Sequence, residues 1–441
     1  MNRFRKSSLL LINAVIMLSV CGCSQTSEVH NPVTNAENTA PVTQPEPEPE
    51  IIEEPEPEPE PEEILPVTVT ILGKEYDQTE TTLDLSDMTP EDIEEVSGII
   101  ADMPELKEIN LMSAEGEALL SLEAVSALKE AVPDVHFVYE FDMFEQHLTT
   151  EDTEVSYVKA AIGNEGEETV RQALKVLDKC EYFLLDDCGI DDEIMDGIRT
   201  DFPDTKVVWR IHVGWKSALT DDQVIRMTHG INDSMTGPLK YCHEVIYMDL
   251  GHDSGITDIS FIENMPDLEC LILSDAQFTD LTPVTNCSKL TWLELVSCYH
   301  LQNLSVIADM ESIKFLNISY TRTSDISGIM DMNLDRFSCI GNPLSREDFD
   351  VYAQAHPDCI CVYSGNPYGY GWRYDDYGYH FFSYYARMRE VFRYTEGCPG
   401  GFKMPEDPEE AEPADTAEET TGSDAAEETG ETADTDAAEE T

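Results

Sequence analysis

Between Val245 and Cys339 the apolar residues recur in one order: an apolar residue, two of any kind, an apolar residue, one of any kind, an apolar residue. The segments are VIYMDL from Val245, LECLIL from Leu268, LTWLEL from Leu290, IKFLNI from Ile313 and LDRFSC from Leu334. Their starts lie 23, 22, 23 and 21 residues apart. Side chains alternate across a strand, so the first, fourth and sixth positions are predicted to point inward and the third and fifth to the opposite face. A period of this length predicts a stack in which no turn can bury its apolar edge without a neighbour.

Each segment is followed by a second motif: ITDISFIENM, FTDLTPVTNC, LQNLSVIADM and TSDISGIMDM. Together the two halves resemble the leucine-rich repeat family, in particular the bacterial type of roughly 22 residues found in internalins. The resemblance is firm for 245–344 and extends with less regularity over 80–240. It implies an α/β fold, a leucine-rich repeat solenoid with parallel strands on its concave side. It also implies a recognition surface rather than a catalyst. The position that is Asn or Cys in that family holds Asp253, Ala276, Cys298, Thr321 and Asn342 here.

Upstream, the stretch from Val67 to Ser86 alternates apolar and polar residues around a turn at Gly73-Lys74, which predicts a strand pair. Thr89-Pro90-Glu91-Asp92 carries helix-start chemistry, with Thr as cap and Pro at the first helical position, and predicts a helix to about Asp102. A longer repeat appears here. EDIEEVSGIIADMPELKEINL at 91–111 aligns with EETVRQALKVLDKCEYFLLDD at 167–187, and AVPDVHFVYEF at 131–141 with DFPDTKVVWRI at 201–211. Both copies continue to a Leu-Thr pair, Leu148-Thr149 with Asp152 and Leu219-Thr220 with Gln223. Residues 65–240 therefore read as two irregular helix–strand modules, followed by a helix over 221–230. An x-Pro-acid signal before a strand recurs at Pro104, Pro133, Pro203, Pro266 and Pro357, which argues for one continuous array.

After the last repeat, 13 of the 32 residues in 363–394 are Phe, Trp or Tyr. Residues 379–394 can form an amphipathic helix with Phe381, Tyr385, Met388 and Phe392 on one face. Two readings stand: an aromatic C-terminal cap on the last exposed edge, or a platform that stacks a carbohydrate or peptide. From Lys403 onward only Met404 is bulky and apolar, and a Glu/Ala/Thr/Asp tail cannot bury enough surface to fold.

The N-terminus changes the picture of location. Arg3, Arg5 and Lys6 precede the apolar run Leu9–Val20 and then Val20-Cys21-Gly22-Cys23-Ser24. This resembles a bacterial lipoprotein signal, with Cys23 as the lipidated residue because a small residue, Gly22, precedes it. Residues 45–63, PEPEPEIIEEPEPEPEPEE, predict a stiff extended spacer. The expected layout is signal peptide 1–22, Pro/Glu stalk 23–64, irregular modules 65–240, regular repeats 241–362, aromatic segment 363–402 and acidic tail 403–441. The expected location is the extracellular face of a cell membrane, held by lipid alone.

Charge and chemistry narrow the function. The chain has 90 acidic and 26 basic residues and a formal net charge of −64, which argues against nucleic acid as a partner. Ten cysteines follow Cys23 in a chain read as exported, so disulfides are permitted, and Cys180–Cys188 and Cys359–Cys398 are the pairs to test. No HExxH, GxSxG, Walker or GxGxxG motif occurs, and no Asp-x-Asp-x-Asp-Gly loop, so neither a cofactor nor a metal is expected. His229, His243 and His252 gather around the first regular repeat and read as turn histidines.

The two outward columns carry the candidate site. The third positions are Tyr247, Cys270, Trp292, Phe315 and Arg336; the fifth are Asp249, Ile272, Glu294, Asn317 and Ser338. Aromatic residues and Arg are enriched at binding hot spots. Tyr247, Asp249, Trp292, Glu294, Phe315, Asn317 and Arg336 are therefore the expected ligand-binding residues, for an extracellular protein, peptide or glycan. If the aromatic segment folds back over this row, the row becomes core. An envelope hydrolase would need two carboxylates at fixed spacing beside an aromatic cleft, and a structural spacer would need no site at all.

Overall fold

The computed structural model describes residues 67–377 and 380–405. The signal segment, Cys23, the stalk and the tail beyond Pro405 lie outside the described residues. β1 (Thr68–Ile71) and β2 (Lys74–Asp77) form the expected hairpin, turning at Leu72 and Gly73. β3 (Thr82–Asp84), α1 (Ile93–Ile100), β4 (Glu108–Asn110), α2 (Leu122–Ala131) and β5 (His136–Val138) follow, with β3, β4 and β5 parallel. Thr89 and Asp92 form the capping box, its Oγ1–Oδ2 distance 2.7 Å, and α1 ends at Ile100 rather than Asp102. β6 (Glu140–Met143) and β7 (Gln146–Thr149) close the first module as a hairpin. The second module repeats the order: β8 (Glu154–Val158), α3 (Glu167–Val176), β9 (Tyr182–Asp186), α4 (Asp192–Asp201), β10 (Lys206–Val213) and the hairpin strand β11 (Lys216–Leu219).

The two modules match down to their hydrogen bonds, seventy residues apart. Tyr139 N–H donates to Thr150 Oγ1 at 3.2 Å, and Trp209 N–H to Thr220 Oγ1 at 3.3 Å. Thr149 N–H donates to Asp152 Oδ2, and Leu219 N–H to Asp222 Oδ2, both at 2.7 Å. The equivalent carboxylates are thus Asp152 and Asp222, not Asp152 and Gln223. Each ties off its hairpin.

The helix expected over 221–230 is a strand, β12 (Val224–Arg226). Asp222 is used by the hairpin and starts no helix, while Val224 and Ile225 are both fully buried on opposite faces, which a strand allows. α5 (Asp233–Thr236) leads on to β13 (Tyr247–Asp249), β14 (Cys270–Ile272), β15 (Trp292–Glu294), β16 (Phe315–Asn317) and β17 (Arg336–Ser338). α6 (Arg346–Ala355) and β18 (Ile360–Val362) complete the series. Strands β12 to β18 are parallel and in one-to-one register. The returns from β13 to β17 are short 3-10 helices, such as Ser260–Asn264 and Thr282–Asn286.

One backbone device unites the second module with the regular repeats. Five residues after each strand begins, the chain turns through a left-handed residue: Lys159, Asp187, His229, His252, Asp275, Ser297, Tyr320 and Gly341, with φ between 55° and 72°. Side chains there are strained, but the turn aims each N–H at the next repeat. His252 N–H reaches Ser274 O at 2.8 Å, Asp275 reaches Val296 O at 2.7 Å and Tyr320 reaches Ile340 O at 2.7 Å.

Two apolar cores result. The first lies under the helices and 3-10 turns and runs without a break from Ile71 to Tyr352, taking in every first, fourth and sixth position of the five repeats. In α6, Phe349 and Tyr352 complete it, and Tyr352 O–H donates to Met332 O at 3.0 Å. The second core lies on the other face of the sheet. It joins Tyr247, Trp292 and Phe315 to Trp372, Tyr385, Met388, Val391 and Phe392. These come from the aromatic segment, whose helix is α7 (Ser383–Val391) and whose end is β19 (Gly400–Phe402), antiparallel to β12. The segment therefore does not cap the last edge. β18 is the terminal strand of the sheet, with Ile360 43% exposed, and the aromatic residues lie across the strand row instead. Contacts continue past residue 402: Lys403 pairs with Asp221, and Met404 N–H donates to Gln223 at 3.2 Å.

Candidate functional site

The seven residues expected to bind a ligand are brought together, but not in solvent. Tyr247, Asp249, Trp292, Glu294, Phe315, Asn317 and Arg336 are each at most 5% exposed. The expectation of an open strip is thus corrected: the chain's own residues from 366–377 and 380–394 occupy it. Trp292 meets Trp372 at 4.3 Å between ring centroids and stacks on Tyr384 at 5.7 Å. Phe315 packs on Tyr384 at 4.9 Å and Phe382 at 5.3 Å, and Tyr247 on Phe392 at 5.8 Å. The Arg336 guanidinium lies 3.7 Å from the Phe382 centroid and pairs with Asp375.

The polar column is satisfied by the same segment. Glu294 accepts from Trp372 Nε1 at 2.7 Å and from Arg373 Nη2 at 2.5 Å. Asn317 donates to Pro367 O at 2.9 Å, and Tyr394 O–H donates to Asp249 Oδ2 at 2.6 Å. Burial raises the Asp249 carboxyl above the usual carboxylate range, against the hydrogen bonds from Tyr394 and Gly251 that lower it. Buried polar groups that find partners fix one geometry, since an unmet group in a low dielectric is costly. The aromatic and polar columns thus dock the segment in a defined register.

An opening lies between the strand ends and the segment. It is a cavity of about 390 Å³ with Asp249, Glu294 and Ser274 on the strand side and Tyr368, Tyr385 and Tyr394 on the segment side. Three arginines line it: Arg226, Arg373 and Arg389. Arg226 donates through Nη1 to the carbonyls of Phe392, Arg393 and Gly397 and lies 4.8 Å from the Tyr394 ring. Arg373 pairs with Glu294 between the rings of Tyr368 and Tyr385. Arg389 lies 4.5 Å from the Phe381 ring. His229 and His252 stand exposed at the mouth, their rings 4.9 Å apart, and His252 Nδ1 is 2.9 Å from Asp275 rather than paired with Asp253. Asp253 instead accepts from Ile231 N–H at 2.8 Å.

Comparison with known proteins adds little. No protein-family model matches the sequence, and no curated protein matches it. Among solved structures, an internalin from Listeria monocytogenes is similar at 17% identity over 60% of this chain, with a TM-score of 0.27, and the chain spans 56% of that protein's length. A leucine-rich repeat protein of Leptospira interrogans is similar at 13% identity over 60% of this chain and 74% of that one, with a TM-score of 0.25. The ectodomain of the Arabidopsis receptor kinase HAESA, solved with a peptide hormone ligand, is similar at 11% identity over 55% of this chain and 36% of that one, with a TM-score of 0.22. Scores this low assign nothing; the strand register carries the fold.

Sequence reasoning missed Arg226, Arg373 and Arg389. A signal for Arg226 was present. Counting 23 residues back from Val245 reaches Asp222, and Ile225 and Met227 then fall at the fourth and sixth positions, which puts Arg226 at the fifth. Only the polar Asp222 at the first position hid this repeat. No such signal exists for Arg373 and Arg389, which reach the site by chain reversal. The ten described cysteines after Cys23 are all free thiols, so neither Cys180–Cys188 nor Cys359–Cys398 is joined. Cys398 lies against Lys216 Nζ at 3.0 Å and Cys180 against Tyr182 O at 3.4 Å. Among the described residues no cluster of metal-ligating side chains occurs, and no helix is long and apolar enough to cross a membrane.

Proposed function

We propose that this chain is a non-catalytic binding protein of the cell surface, a leucine-rich repeat solenoid anchored by lipid on Cys23 and raised on its Pro/Glu stalk. It recognises an extracellular protein, peptide or glycan. The observation that carries this reading is the cavity at the end of the strand row. There, two of the expected binding residues, Asp249 and Glu294, meet aromatic and guanidinium groups of the aromatic segment. Such a pocket has the mixed lining of a recognition site, with flat apolar faces and a few converging polar groups. The rest of the row serves to hold the segment that forms the pocket's second wall. Both carboxylates are held by hydrogen bonds within the chain, as suits positioning rather than acid–base chemistry.

Screening the full mature chain against cell-wall glycans, host glycans and peptides, with His252→Trp as the blocked variant, tests this. His252 is exposed at the mouth, so the substitution obstructs entry without entering either core. Binding that His252→Trp abolishes supports the pocket; binding that it leaves intact removes it. Separately, Cys23→Ala should move the protein from the membrane fraction to the soluble one.

A further inference from the structure

We infer that the cavity takes the carboxylate of an acidic sugar unit, an inference that rests on the pocket being the binding site. The chain carries only 26 basic residues against 90 acidic ones, yet three of its arginines converge on one cavity. In so acidic a protein, surface arginines would be expected to find carboxylates. Two of these find none among the described residues. Arg226 is held by three carbonyls and a tyrosine ring, and Arg389 by the rings of Phe381 and Tyr394. A carboxylate entering the cavity would accept charge-assisted hydrogen bonds from the guanidinium groups that line it.

The acids that face the site cancel the charge of Arg373 but not those of Arg226 and Arg389. Glu294 is engaged by Arg373 and by the Trp372 N–H, and Asp249 by the Tyr394 hydroxyl and the Gly251 N–H. Asp275 is turned to His252 at the mouth. Burial also favours the neutral form of Asp249.

A sugar fits better than an extended peptide. Peptide recognition on sheets draws on an open strand edge, and here β12 is flanked on one side by β13 and on the other by β19. The cavity is lined instead by Tyr368, Tyr385 and Tyr394 and by Thr228 and Ser274, aromatic and hydroxyl-bearing residues of the kind that hold one ring with its own hydroxyls.

The test is calorimetric titration of the full mature chain with glucuronate, with glucose as the same ring without the carboxylate, and with triglutamate as a carboxylate-bearing peptide. Glucuronate is expected to bind roughly tenfold or more tightly than glucose, the scale of one charge-assisted hydrogen bond. Arg389→Gln should remove that preference without lowering the melting temperature, since Arg389 holds no buried partner charge, and Arg389→Lys should restore part of it. Equal affinities for glucuronate and glucose, or a preference untouched by Arg389→Gln, would overturn the assignment. Triglutamate binding that needs Arg389, with no glucuronate binding, would overturn the sugar. Binding of glucose alone that is lost in His252→Trp would keep the pocket and overturn its anionic specificity; no binding sensitive to His252→Trp removes the pocket itself.

Discussion

The same strand face has opposite fates in two parts of the chain. In β8 and β9 the burial alternates along the strand: Val155 and Tyr157 are buried while Glu154, Ser156 and Val158 face solvent. In β13 to β17 all three residues of every strand are buried. The turns and the parallel register are shared, so the backbone does not make the difference. The aromatic segment does: it covers the second face of β12 to β17 and leaves that of β8 open. An outward position in a repeat is thus a surface only where no other part of the chain claims it. The side chains record the claim, with Glu, Ser and Val on the open face and Tyr, Trp and Phe beneath the cover.

Five experiments would break or sharpen this contrast, the largest effect first. Ending the chain at Gly365 strips the cover from the face. It should give a protein that binds hydrophobic dye and self-associates, seen by fluorescence and light scattering; a stable, dye-silent monomer would show that the cover is dispensable. Trp292→Ala should cost about 3–5 kcal/mol in denaturant unfolding, because Trp292 is fully buried between both layers. Glu294→Ala should cost about 3 kcal/mol, since it leaves Arg373 and the Trp372 N–H unpaired beneath the cover. Glu294→Gln should lose less, because the amide still accepts from Trp372.

Asp249→Asn should change the pH dependence rather than the fold. The folded-state pKa of Asp249 is raised, so the folded state holds its proton longer than the unfolded state does. Its contribution is therefore complete below the unfolded carboxylate range, and stability falls as pH rises through the folded pKa. The difference between wild type and Asp249→Asn, followed by unfolding from about pH 4 upward, should show this fall only in the wild type. A constant difference across that range would contradict it. Last, Val158→Ala on the open face of β8 should change stability by less than about 0.5 kcal/mol. Val158 is 59% exposed. A loss as large as that of Trp292→Ala would mean that this face is covered too.

Much of this was legible beforehand where the signal was local. The five strands fall where the segments from Val245 to Leu334 put them, and their first, fourth and sixth residues form the first core. The doubled module upstream was visible in the alignment of 131–141 with 201–211. β12 was not, because Asp222 at its first position serves the β10–β11 hairpin and breaks the apolar pattern. Nor was the closed face. Whether Trp292 meets solvent depends on Trp372 and Tyr384, some eighty and ninety residues later, and whether Arg226 is part of a site depends on Tyr394, more than one hundred and sixty residues away.

The sequence by itself determined the strand period, the parallel stacking and the residues that point into the first core. These follow from side-chain alternation and a fixed repeat length, which act within one turn and its neighbour. The tertiary structure alone decided that the aromatic segment lies across the strand row and not over its last edge. It also decided that the cavity beside Asp249 and Glu294 gathers three arginines. Both outcomes rest on apolar and charge-assisted contacts between distant parts of the chain, which no local periodicity encodes.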